Sequence, residues 1–131
     1  PGILEMIYRM KGHSKMGLIS DCIVAGGMDD GTYKLGMLDV DVKNGIARTK
    51  SGSLAGSTLT LNKAVKNMID LAKIPFLEAV HMASLIPAQF LGIDDTLGSI
   101  KQGKKACLTI TDDKLNVKAT IIDGKFVYKN Y

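Results

Sequence analysis

Tryptophan is absent from this 131-residue chain, and cysteine, histidine and arginine are each reduced to two. Each shortage removes a class of function. Cys22 and Cys107 stand far apart, without a CxxC pair or a neighbouring histidine, so neither a zinc site nor a disulfide framework is encoded. Two buried free thiols are expected instead, in a reducing compartment. His13 and His81 form no HxH pair and cannot furnish the His-rich set that a catalytic divalent metal usually needs. Arg9 and Arg48 are the only arginines, and the lysines behind the net charge of +4 are scattered from Lys11 to Lys129. Scattered charge is a solvated surface rather than a nucleic-acid footprint. No apolar run reaches about 18 residues and no charged-then-apolar leader opens the chain, so neither a membrane span nor a signal peptide is expected, and the setting reads as cytoplasmic.

What is present is ordinary for a globular protein: 46% hydrophobic and 23% charged residues, a composition that argues against disorder. A chain of this length makes one domain and buries roughly two-thirds of its unfolded surface. It opens on Pro1, and Gly2 to Tyr8 already read as helix, so a chain cut from something longer is expected.

The most informative stretch is Leu18-Ile19-Ser20-Asp21. Met16 to Ser20 reads as a short strand covered on both faces, the pattern of a parallel sheet wrapped by helices. Asp21 then falls at its carboxyl end, before the loop Ala25-Gly26-Gly27, and chemistry in α/β folds collects at that end. Residues 3–11 precede it as a helix with Ile3, Ile7 and Met10 on one face and Gly12 as its stop. After it come Thr32–Leu35 and Val40/Val42, with Asn44-Gly45 as a type I′ turn into Ile46, an inserted hairpin over about 32–50. Thr60 is the expected N-cap of a helix whose buried face carries Leu61, Ala64/Val65, Met68 and Ala72. Pro75 restarts the chain into a second helix with Ala79, Ala83, Ile86 and Phe90 inward, broken at Pro87 and stopped at Gly92. From Gly98 the pattern turns to strands, 106–111 and 117–122, with Asp123-Gly124 leading into a last hairpin arm. A lone buried strand cannot satisfy its own backbone groups, so its neighbours are expected elsewhere. On the residues alone, Asp21 serves equally as a turn cap or as a catalytic group.

LISD at 18–21, DGTYKLG at 30–36, NGIAR at 44–48, SGSLAGSTLTLNKAVKN at 51–67 and EAVHMASLIPAQFLG at 78–92 resemble one family closely, N-acetylglucosamine-6-phosphate deacetylase of the amidohydrolase superfamily. LGSIKQGKKACLTITDD at 97–113 and TIIDGKFVY at 120–128 agree. The resemblance runs from about residue 11 to the end and covers about the last third of such an enzyme.

It implies a (β/α)8 barrel, with Met16–Ser20 as the eighth strand, residues 1–97 as the C-terminal part of the barrel and 98–131 as part of a small β-sandwich. It implies that Asp21 is the catalytic aspartate, taking a proton from a metal-bound water and passing it to the departing amine. It also implies that Leu54, Ala55, Gly56 and Ser57 contact the amino-sugar phosphate. The divalent metal (zinc, iron or manganese) would be held by a glutamate and histidines of the missing N-terminal part, none of them in this chain. A homo-oligomer that binds neither nucleic acid nor membrane is expected.

The galactosamine counterpart shares the LAGS pattern and stands as an alternative. So does a non-catalytic scaffold remnant of the fold. Cys107, where many members carry an acidic residue, and the loop Cys22–Asp29 depart from the family pattern.

Overall fold

Two three-stranded antiparallel sheets and four short helices make up the computed structural model, which describes residues 2–130. In chain order these are α1 (Gly2–Lys11), a 3-10 turn (His13–Lys15), β1 (Gly31–Leu35), β2 (Leu38–Lys43), β3 (Ile46–Thr49), α2 (Leu61–Asp70), α3 (Phe76–Ala83), α4 (Leu85–Phe90), β4 (Leu108–Thr111), β5 (Val117–Ile122) and β6 (Lys125–Lys129). The chain divides into two compact units, Pro1–Leu18 with Val65–Tyr131, and Ile19–Ala64. Among the described residues no helix is long and apolar enough to cross a membrane.

In the first unit the core gathers Val65, Met68, Ala72, Ile74, Ala79 and Met82, with Tyr8 and Met16 packed against it. Met82 is fully buried, and such a side chain contributes roughly 1.5–3 kcal/mol by leaving water. The α1 helix ends at Gly12, whose φ of 72° suits only glycine at low cost and whose N–H donates to Tyr8 O at 2.8 Å. Its expected inner face is largely bare: Ile3 is 71% and Met10 77% exposed. Glu5, Ile7 and Tyr8 are half-buried, and of these Tyr8 packs against the core.

Three expectations within these helices need correction. The break falls at Ser84 (φ −136°, ψ −74°), not at Pro87. Pro87 sits inside the first turn of α4, where its missing N–H has no helical partner to lose; continuing α3 would instead drive its ring into the Ala83 carbonyl. Phe90 is exposed rather than inward, although its ring edge lies where a Cβ on Gly17 would reach, 3.3 Å from Cε2. Thr60 opens α2 through its carbonyl, which accepts from Ala64 N–H at 2.9 Å, while its hydroxyl is buried without a partner and caps nothing. Leu61, beside it, is exposed.

The β4–β5–β6 sheet follows the strand pattern closely. Asp123 and Gly124, at φ 47° and 79°, make the tight turn between β5 and β6. Cys107 precedes β4 and is exposed, as is Cys22, so the two thiols are free but not buried. The Cys107 thiol lies 3.8 Å from the exposed Asp123 carboxylate.

In the second unit β1, β2 and β3 form a meander with Val40 and Val42 buried under it beside Ala25, Ala47 and Ala55. The Asn44-Gly45 turn joins β2 to β3 with φ of 53° and 70°, the left-handed pair that a type I′ turn requires. On the outer face, Lys34 Nζ and Lys50 Nζ each lie 2.9 Å from a carboxylate oxygen of Asp39. The hydrogen bond from Lys34, then that from Lys50, holds the Asp39 carboxyl down to about 2, from an ordinary 3.8. Since the folded value lies below the unfolded one, the stabilisation is complete above the ordinary value and is lost as pH falls toward 2. An NMR titration of the Asp39 carboxyl carbon should therefore find its midpoint near 2, and a midpoint near 3.8 would count against the pairing.

Candidate active site

Asp21 does not end a strand. Met16 is extended (φ −129°, ψ 117°), but no residue from Met16 to Asp21 belongs to a strand, and Ile19 is 81% exposed. A strand exists through its neighbours, and among the described residues this segment has none. Leu18 N–H donates to Met82 O at 2.7 Å instead.

One pairing remains, and it lies at Asp21. Cys22 bridges Ser57 in parallel fashion; Ser57 N–H donates to Asp21 O at 3.1 Å and Ile23 N–H donates to Ser57 O at 2.9 Å. On its other side the loop is stitched to β3, where Leu54 bridges Arg48 and Ala55 N–H donates to Ala47 O at 3.0 Å. Gly56, at φ 83°, turns the chain from one seam to the other. A Cβ there would stand 2.6 Å from Ile23 Cγ2, so glycine is demanded twice, by conformation and by space. The structure thus brings Asp21 against Leu54–Ser57, residues more than thirty positions apart in sequence.

Asp21 adopts φ 47°, a left-handed conformation that aspartate and asparagine tolerate better than other side chains. Its residue is exposed, and among the described residues its carboxylate accepts no hydrogen bond. A capping role would need such a bond. Two consecutive turns follow, Gly26 N–H to Ile23 O at 3.0 Å and Met28 N–H to Ala25 O at 3.1 Å. They fold so tightly that a Cβ on Gly26 would overlap the Cys22 sulfur.

Leu54 is 68% exposed, Ala55 is buried, and Ser57 Oγ accepts from Leu59 N–H at 2.8 Å, leaving its own proton to offer. An open concavity of about 330 Å³ adjoins them, lined by Gly45, Gly56, Ser57, Thr58 and Lys63 among others. Two residues that the sequence did not single out brace the Asn44-Gly45 turn beside it. Thr58 Oγ1 donates to Gly45 O at 2.5 Å, and the Asp30 carboxylate accepts from Asn44 N–H at 2.6 Å and Gly45 N–H at 3.2 Å. Nothing local marks them, since their partners lie 13 to 15 residues away.

His13 is occupied elsewhere: its Nδ1 lies 2.8 Å from Glu78 Oε2, the same oxygen that accepts from Tyr8 OH at 2.7 Å. That bond to the Glu78 carboxylate raises the Tyr8 pKa. The His81 ring lies 6.2 Å from that of His13. Among the described residues no group of three His, Cys, Asp or Glu side chains is disposed to hold a metal ion.

The chain is thus α/β with two small antiparallel sheets, and in it an exposed carboxylate is seamed to a glycine-turned loop. The chain belongs to the amidohydrolase family, which matches residues 13–127. It is 47% identical over 108 residues to a putative N-acetylgalactosamine-6-phosphate deacetylase of Escherichia coli K12, covering 82% of this chain and 65% of that protein. It is 41% identical to the N-acetylglucosamine-6-phosphate deacetylase of Vibrio furnissii, over 98% of this chain and 32% of the relative. The crystal structure of N-acetylglucosamine-6-phosphate deacetylase from Pasteurella multocida superposes with a TM-score of 0.90 at 31% identity, covering 98% of this chain and 34% of that one. The chain therefore spans about a third of the length of most of these relatives.

Proposed function

We propose that this chain is the C-terminal part of a hydrolase that removes the acetyl group from N-acetylglucosamine 6-phosphate, releasing acetate and glucosamine 6-phosphate. The seam that joins Asp21 to Gly56 and Ser57 carries this reading, in a chain whose relatives bear that activity in their names. Amide hydrolysis needs a base for the attacking water and an acid for the departing nitrogen, because an amine leaves poorly unless it is protonated as the bond breaks. Asp21 does both in turn, unencumbered by hydrogen bonds and held on a short backbone seam. Leu54, Ala55, Gly56 and Ser57 receive the sugar, with Gly56 allowing the ligand close to the backbone.

The divalent metal that the family implies, zinc, iron or manganese, is bound by residues outside this chain, since His13 is committed to Glu78. Residues 1–97 complete a (β/α)8 barrel, in which Met16–Ser20 gains ladder partners from the remainder of the protein and becomes the eighth strand. Residues 98–131 complete a small β-sandwich. The whole protein works as a cytoplasmic homo-oligomer.

The galactosamine epimer is the second reading, favoured by the 47% identity to the Escherichia coli relative. Acetate release by the full-length protein from each N-acetylated hexosamine 6-phosphate tests both. Turnover of the glucosamine substrate is expected, a higher kcat/KM for the galactosamine substrate would reassign the epimer, and release from neither would sink the proposal.

A further inference from the structure

We infer that Asn44 is a site of self-modification, in which its side-chain amide is lost through attack by its own backbone, and that Asp30 holds this reaction in check. Asn44-Gly45 is an exposed pair whose second residue has no side chain to hinder ring closure. The Gly45 nitrogen attacks Asn44 Cγ; the N–Cγ bond forms, the amide proton goes to solvent, and the side-chain nitrogen departs as ammonia, leaving a cyclic imide. Water then adds to either imide carbonyl and opens the ring, to aspartate in one direction or to isoaspartate, with an extra methylene in the backbone, in the other.

Three contacts oppose the first step. Asp30 Oδ1 accepts the very N–H that must be lost, at 3.2 Å, and Asp30 Oδ2 accepts the Asn44 N–H at 2.6 Å. A carboxylate so close disfavours the amide anion through which attack proceeds. Thr58 Oγ1 donates to Gly45 O at 2.5 Å, which anchors the following peptide unit and limits how far the turn can rearrange. The Lys43↔Ile46 pair closes the turn beneath it. Intramolecular attack depends steeply on the population of the near-attack geometry, and this turn excludes it. An isoaspartate at position 44 lengthens the backbone by a methylene and so disturbs the turn in which Gly45 O accepts from Thr58.

Peptide mapping by mass spectrometry of the full chain, incubated at mildly alkaline pH, tests the inference without any activity assay. Conversion at Asn44 should be at least on the order of tenfold slower in the native chain than in concentrated urea. Asp30→Asn, with its fold verified by circular dichroism, should raise the native rate severalfold above the parent's while leaving it below the urea rate, because the hairpin still closes the turn. Equal rates in buffer and urea, no conversion in urea, or a folded D30N chain that converts like the parent would each overturn it. If D30N does not fold, Asp30→Glu is read instead: conversion slower than in urea is expected, and equality overturns the role of the carboxylate.

Discussion

Asp21→Asn in the full-length protein should lower kcat for acetate release by about 10²–10⁴-fold, the usual contribution of a positioned acid–base group, and leave the melting temperature unchanged. The two halves of this expectation rest on different observations. The backbone at Asp21 is left-handed, φ 47°, and asparagine is the replacement that tolerates this conformation equally well. No hydrogen bond to the carboxylate is present among the described residues, so no fold-stabilising contact is lost on removing its charge. A drop in kcat with KM and melting temperature intact therefore isolates proton transfer. A variant that retains turnover, or one that loses it only by unfolding, would show that Asp21 serves the loop and not the reaction. Asp21→Ala is the poorer test, because it adds a conformational penalty at positive φ.

Asn44-Gly45 and Asp123-Gly124 are legible because a turn of this type is a local demand: two residues at positive φ, supplied by two residues that accept it. The end of α1 at Gly12 is legible for the same reason. Met16–Ser20 is different. Its apolar run describes a strand that needs partners on both sides, and the run itself cannot say whether those partners are at hand; here Ile19 faces solvent. Pro87 announces a break, yet the break comes at Ser84, because a proline disturbs the turn before itself and not its own position. Thr60 has a cap residue's identity but not its geometry. The site shows both sides of this division. Gly56 can be suspected from sequence, since glycine between Ala55 and Ser57 asks for a reason, and the family resemblance points to the same loop. That the loop closes onto Asp21 through Ser57, and that Asp30 and Thr58 brace the turn beside it, follows only from pairings across tens of residues.

Gly56→Ala should destabilise the protein by about 1–3 kcal/mol and raise KM for the sugar phosphate, since the loop must either shift or strain. Two penalties are combined in that figure, and they can be separated. One is conformational, because alanine resists φ of 83°. The other is steric, because its Cβ would stand 2.6 Å from Ile23 Cγ2. Isoleucine is branched at Cβ and stiff at χ1, so Cγ2 cannot swing aside without the whole side chain leaving its place against the buried Ala25 and Val40 cluster. Ile23→Ala removes that methyl and opens space for the new one. In a double-mutant cycle the pair should then be coupled favourably by about 1 kcal/mol, within the range found for residues in contact, while the conformational share remains. Chemical denaturation of the four proteins measures the coupling. Additive effects would mean that the loop escapes by moving, and the rise in KM would then have to come from displacement of Leu54–Ser57 rather than from a clash at Ile23.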